Sequence, residues 1–206
     1  MKIIGLGTGR CGTHSLAKVL NGQEGSLITH EIGDAPVFPW EKDEEVLYRF
    51  FRGVEAMESN YCHVGDVGFY HLPYVEDYIE RWGKDVKIVS IKRDMLETIK
   101  SYLKWTEGRN HWMENCNESK KDIWDKCYPK YDVETKELAL ESYWLDYYAK
   151  VDELNNKYPD NFYLMDMYDL NDKQKVLELL KWCGFTEVTL SMFVGVRESK
   201  QDYGNS

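Results

Sequence analysis

No run of apolar residues in this chain approaches the length of a bilayer-crossing helix, so a membrane-spanning protein is not expected. Positive charge is short as well: the net charge is −10 and the pI is near 5.0. That balance argues against broad binding to nucleic acid or to an anionic membrane surface. Any anionic ligand must then be held by a few local arginines and lysines and by backbone amides. The cysteines (Cys11, Cys62, Cys116, Cys127 and Cys183) are odd in number and scattered, with no Cys-x-x-Cys pair. Neither a disulfide framework nor a zinc site is expected from them. No signal peptide is expected, since Met1 leads straight into a strand-like run. Repeats, low-complexity tracts and linker-like segments are missing too. The expectation is a cytoplasmic protein with reduced thiols, no bound metal, no membrane and no nucleic-acid partner.

What is present is 206 residues with 43% apolar and 14% aromatic side chains, enough core for one α/β domain. Short apolar runs at Lys2–Ile4, Ser26–His30, Tyr61–Asp66, Val86–Ile91 and Asn161–Met167 read as strands. Val86-Lys-Ile-Val-Ser-Ile91 is nearly continuous and β-branched, as a buried parallel strand should be. Helical patterns fall between them: from Leu16, over Glu41–Glu58, over Tyr74–Trp82 with Pro73 in the first turn, and over Glu137–Tyr158. Another follows Asp94, with Glu97 three residues on as in a capping box, and a last one runs Asp172–Cys183 until Gly184 stops it. Strand–helix alternation throughout predicts a central parallel sheet flanked by helices. Ala35-Pro-Val-Phe-Pro-Trp40 is a breaker-rich loop. Trp105 to Tyr131 is irregular, polar and aromatic, the pattern of a lid or binding loop.

Gly5-Leu-Gly-Thr-Gly-Arg-Cys-Gly-Thr-His-Ser15 lies between the first strand and the first helix. A glycine-rich turn there presents successive N–H groups at the positive end of a helix and makes an anion cradle. The nucleotide-triphosphatase pattern needs a lysine just before Ser or Thr, and that lysine is absent. Arg10 sits on the approach instead. The fourth strand likewise lacks the acidic Mg²⁺-binding end of a P-loop ATPase and delivers Lys92-Arg93, with Ser101 eight residues later. A guanidinium and a hydroxyl so placed suit a fixed phosphate group.

Together the two stretches resemble the sulfotransferase family that uses 3′-phosphoadenosine 5′-phosphosulfate (PAPS). Its loop, of the type Lys/Arg-Ser/Thr-Gly-Thr-x-Ser/Leu, is matched by Arg10-Cys-Gly-Thr-His-Ser15, and its strand-end Arg with a following Ser is matched by Arg93 and Ser101. Met167-Tyr-Asp-Leu170 and Trp182-Cys-Gly-Phe185 are similar to the family's C-terminal strand, turn and helix end. The likeness runs from residue 3 to about 200 and implies one sulfotransferase domain over residues 1–206 with a P-loop NTPase-like architecture.

The resemblance further implies that the first loop (Gly9, Arg10, Cys11, Gly12, Thr13, His14 and Ser15) binds the 5′-phosphosulfate, while Arg93 and Ser101 bind the 3′-phosphate. Arg197 and Lys200 fall where the family closes a loop over that phosphate, although its Arg-Lys-Gly sequence is absent. The implied reaction moves a sulfuryl group to a hydroxyl or amine of a small-molecule or carbohydrate acceptor, without a metal. Arg10 stands where many members have a catalytic Lys. For the general base two residues stay open. Phe69-Tyr-His-Leu-Pro73 resembles a family turn whose His takes the acceptor proton, which points to His71; Asp66 matches the strand-end acid of other branches. His30-Glu31 and His111 are further residues for an acceptor pocket. The other readings of this sequence are a P-loop kinase of a small metabolite and a nucleotide-binding protein without turnover.

Overall fold

In the computed structural model, which describes residues 1–31, 38–107, 109–113 and 124–189, all strands of the sheet run parallel. They are β1 (Lys2–Leu6), β2 (Ser26–His30), β3 (His63–Val67), β4 (Val86–Lys92) and β5 (Phe162–Asp166), in the order β2-β3-β1-β4-β5. β1 pairs with β3 on one side and β4 on the other, with Ile4 opposite both Asp66 and Ile88. The chain therefore winds outward in both directions from β1. A crevice opens beyond the carboxyl ends of strands at such a switch point, and the glycine-rich loop follows β1 directly into it.

Every residue of β1 is buried, because both sheet faces are covered. Alternate side chains point to opposite faces, and the two cores divide accordingly. Ile3 packs with Leu16, Leu20, Val176 and Leu179, from α1 (Thr13–Asn21) and α6 (Lys173–Trp182). Ile4 and Leu6 pack on the other face with residues of α2 (Glu44–Met57), α3 (Val75–Trp82), α4 (Met95–Trp105) and α5 (Lys136–Lys157). On α5 the buried positions Leu140, Tyr143, Tyr147, Val151 and Leu154 recur every three or four residues, one face of a helix.

Most element boundaries agree with the sequence reading, and the departures have local causes. α2 starts at Glu44 rather than Glu41 because the Asp43 side chain accepts from the N–H groups of Glu45 and Val46. Pro73 lies in a 3-10 turn, Phe69–Tyr74, ahead of α3 rather than within its first turn. Gly184 takes φ 90° and closes α6, as its sequence position predicts. The Trp105–Tyr131 stretch is not a loose lid in its described part: Trp112, Cys127 and Tyr128 sink into the core, and Met113 bridges to Tyr131. Arg197, Lys200 and Cys116 lie outside the described residues. No helix among the described residues is long and apolar enough to cross a membrane.

Candidate functional site: a crevice at the switch point

The loop after β1 is held in a conformation that few sequences tolerate. Gly9, Arg10 and Gly12 have φ of 83°, 56° and 98°, the left-handed region that costs a side chain strain. A Cβ on Gly9 would collide with the Tyr102 hydroxyl, and one on Gly12 would come within 2.8 Å of Met167 Cγ. Arg10 is the non-glycine in this run, and strained residues of that kind gather at ligand clamps. Gly12 ends the turn as the N-cap of α1 and gives it no side-chain cap. The first N–H groups of a helix have no intrahelical acceptor, so those of α1 face the crevice at its positive end.

Buried tyrosines fix the backbone of this loop. Tyr147, on α5, accepts from the N–H of Gly7 at 3.0 Å and donates to the carbonyl of Phe69 at 3.0 Å. Tyr143 donates to the carbonyl of Thr8 at 3.1 Å, and Tyr102 donates to the same oxygen. Tyr148 donates to the carbonyl of Ile91 at 2.9 Å, bracing the end of β4. Burial pushes these phenols well above their ordinary pKa, so they remain neutral donors. The sequence reading missed this set; its one available signal was the spacing of Tyr143, Tyr147 and Tyr148 on a helix facing the strand ends.

The second basic stretch meets the first. Arg93 Nη1 donates to the carbonyl of Arg10 at 3.0 Å, and Arg10 Nε donates to Ser101 Oγ at 3.1 Å. Trp144 Nε1 donates to the carbonyl of Arg93 at 3.1 Å and holds its backbone in place. Gly9, Arg10, Gly12 to Ser15, Arg93 and Ser101 thus share one crevice of about 820 Å³, a volume suited to a nucleotide-sized ligand. Cys11 is the exception among the loop residues. Its side chain is wholly buried and absent from the crevice wall, and burial pushes its thiol pKa up. The turn Met167–Asn171, read from sequence as architectural, supplies Met167, Tyr168, Leu170 and Asn171 to the crevice wall.

His14, His30, Glu31, Phe69, Trp124 and Tyr128 also line the crevice. Glu31 continues the strand pairing, its N–H donating to the carbonyl of Val67 at 3.1 Å, and then turns with φ 48°. Its Oε1 lies 3.8 Å from His30 Nε2, which is 3.1 Å from Thr13 Oγ1. Burial and then the negative charge of Asp66 raise the Glu31 carboxyl to about 7, against the opposing pull of Arg10. Burial and then His14 lower His30 to about 4, against Asp66. Near neutral pH the crevice wall therefore holds the His30 imidazole in its neutral form beside a Glu31 carboxyl raised toward neutrality.

The two residues expected as general bases are elsewhere. Asp66 and His71 are both wholly buried and neither reaches the crevice wall. His71 Nε2 is 2.9 Å from Asp66 Oδ2, and its Nδ1 is 2.7 Å from the Tyr78 hydroxyl. Asp66 also accepts from Thr29 Oγ1 at 2.6 Å and from the Tyr70 hydroxyl at 3.0 Å. Burial raises the Asp66 carboxyl, but the hydrogen bonds of His71, Thr29 and Tyr70 and the charge of His71 outweigh it, and the result is below its ordinary value. Phe38 and Phe50 pack against the imidazole with ring centroids 4.9 and 5.2 Å away. Both ring nitrogens of His71 thus have partners, and among the described residues it does not line the crevice. His111 is likewise wholly buried, stacked on Tyr128 at 5.6 Å. Trp105 and Trp124 are the tryptophans that do reach the crevice.

No family model and no curated protein matches this chain by sequence. Two solved structures are similar to it in fold. One is mouse sulfotransferase SULT7A1 complexed with PAP, with a TM-score of 0.55 and 15% identity, over 91% of this chain and 60% of the mouse protein. The other is a sulfotransferase from Alicyclobacillus acidocaldarius, with a TM-score of 0.54 and 17% identity, over 91% of this chain and 81% of the bacterial one. The chain has the α/β sulfotransferase fold, with the P-loop-like strand–loop–helix at its centre. It spans 60% of the length of the mouse protein.

Proposed function

We propose that this chain is a PAPS-dependent sulfotransferase that moves a sulfuryl group to a hydroxyl or amine of a small-molecule or sugar acceptor. The observation that carries the reading is the meeting of the two anion-binding stretches: Arg93 on the Arg10 carbonyl and Arg10 on Ser101, in one crevice. A cradle that a Cβ at Gly9 or Gly12 would block, at the start of α1, suits the 5′-phosphosulfate. Arg93 and Ser101 suit a 3′-phosphate. In sulfuryl transfer, negative charge grows on the leaving oxygen and the sulfuryl oxygens, so fixed cations and amides lower the barrier. The contribution of Arg10 is charge and hydrogen bonds. Glu31, raised to about 7 on the crevice wall, takes the acceptor proton in this reading, with His30 and Thr13 beside it. The protein would act in the cytoplasm.

The test is calorimetric. Wild type should bind 3′-phosphoadenosine 5′-phosphate in preference to ATP–Mg²⁺. Arg93→Ala should weaken that binding by on the order of 1.5–3 kcal/mol and leave adenosine 5′-phosphosulfate, which has no 3′-phosphate, close to its wild-type affinity. Preference for ATP–Mg²⁺, or equal losses for the two adenosine ligands, would overturn the reading.

A further inference from the structure

The position of Glu97 in α4 calls for one hydrogen bond and the structure gives it another. As the third residue after the N-cap Asp94, it is placed to return its carboxylate to the Asp94 N–H and complete a capping box. Asp94 performs its half, its Oδ1 accepting from the Glu97 N–H at 3.0 Å. The Glu97 side chain turns away. Its Oε2 accepts from Arg93 Nε at 3.0 Å and from the Tyr168 hydroxyl at 2.8 Å. One carboxylate oxygen thus joins the end of β4 to the turn after β5, and Arg93 and Tyr168 both line the crevice. Those two hydrogen bonds, Tyr168 first, hold the Glu97 carboxyl below its ordinary pKa, so it is an anion at neutral pH.

Arg93 therefore already carries an anion on the donor that a phosphate gripping the Nε edge of the guanidinium would use. A guanidinium binds such a group through two parallel N–H donors, and Nε is one of a pair. We propose that Glu97 is a specificity-determining residue: its carboxylate stands in for the nucleotide 3′-phosphate on Arg93 and must yield Nε when that phosphate arrives. This rests on the reading of Arg93 given under Proposed function. The stand-in keeps Arg93 aimed while the crevice is empty and opposes a second anion in the same place. A 3′-phosphorylated nucleotide then binds more weakly than Arg93 and Ser101 alone would allow, and an adenosine ligand without that phosphate is indifferent to Glu97.

Glu97→Gln keeps the side-chain length and removes the charge at a position 44% exposed, so the fold is retained. Calorimetry would compare 3′-phosphoadenosine 5′-phosphate with adenosine 5′-phosphate on wild type, Glu97→Gln and Arg93→Ala. Removing one negative charge some 4–5 Å from a phosphate in a solvated crevice should tighten the first ligand on the order of five- to twentyfold, with the second changed less than about twofold. Unchanged or weaker binding of the first ligand in Glu97→Gln overturns the proposal. So does equal tightening of both, which would make Glu97 a general source of repulsion. If Arg93→Ala leaves the preference for the first ligand intact, the assignment of Arg93 itself has failed, whatever Glu97→Gln does.

Discussion

Glu31 and Asp66 are carboxylates at the ends of neighbouring parallel strands, and the protein sends them in opposite directions. Thr29 pairs with Asp66 across β2 and β3, and Glu31 follows two residues later. Asp66 is enclosed and receives hydrogen bonds from Thr29, Tyr70 and His71, so its charged form is favoured despite burial. Glu31 has no such donors among the described residues; burial and then the like charge of Asp66 raise it to about 7. Two titratable groups pushed apart by their surroundings mark a division of labour. The enclosed carboxylate organises the core between the sheet and α3, and its charge reaches Glu31. Glu31, raised to about 7, lines the crevice, where under the proposed function it takes the acceptor proton. Residue type and strand position are shared; the number of donors around each group decides its role.

The largest effect should come from Glu31→Gln. Losing a general base costs ~10²–10⁴-fold in single-turnover sulfuryl transfer while nucleotide affinity stays near wild type. The wild-type rate should rise with pH as Glu31 loses its proton and level off above about 7. That rise should vanish in the variant. A rate within a few-fold of wild type would remove Glu31 from the chemistry and break the comparison at its active end.

His71→Ala tests the enclosed end. Breaking a buried pair by removing one partner costs about 3–5 kcal/mol of stability, readable by urea unfolding. The pH dependence should change sign as well. In the wild type the folded pKa of Asp66 is depressed, so its contribution to stability is present above the ordinary carboxylate value and lost as pH falls through the folded one. Without His71, burial dominates, the folded pKa rises, and stability is then lost as pH increases through it. Where the variant is folded, its transfer rate should stay within a few-fold of wild type. A fall of the size expected for Glu31→Gln, with nucleotide affinity intact, would return the base to His71.

The sheet, its helices and the anion loop were legible in the sequence because each depends on local pattern. β-branched runs made the strands, and glycines at positions needing positive φ made the loop, as Gly9 and Gly12 show. The pairing of Arg93 and Ser101 with that loop was legible through the resemblance to the sulfotransferase family. The division between Asp66 and Glu31 was not. It depends on Phe38, Phe50 and Tyr78, which arrive from distant elements to seal His71, and no spacing within Val64–Pro73 encodes that. The same holds for Glu97, whose place three residues after Asp94 fits a cap until Tyr168, distant in sequence, draws the carboxylate away.

The smallest effect is the finest test of the comparison. Thr29 sits on β2 beside Asp66 and two residues before Glu31, and its Oγ1 donates to Asp66 Oδ1 at 2.6 Å. Thr29→Val keeps the shape and the β-branched strand preference while deleting that one donor. A hydrogen bond to a charged group contributes about 1.5–3 kcal/mol, and in a chain of this size each kcal/mol lowers the melting temperature by roughly 2–4 °C. Asp66 keeps His71 and Tyr70, so it stays ionised and continues to repel Glu31. The expected outcome is a modest drop in melting temperature with the midpoint of the pH–rate profile unmoved. A downward shift of that midpoint in Thr29→Val would show that Asp66 loses its charge as soon as one donor is gone. The opposed carboxylates would then be a single coupled pair rather than two separately held groups.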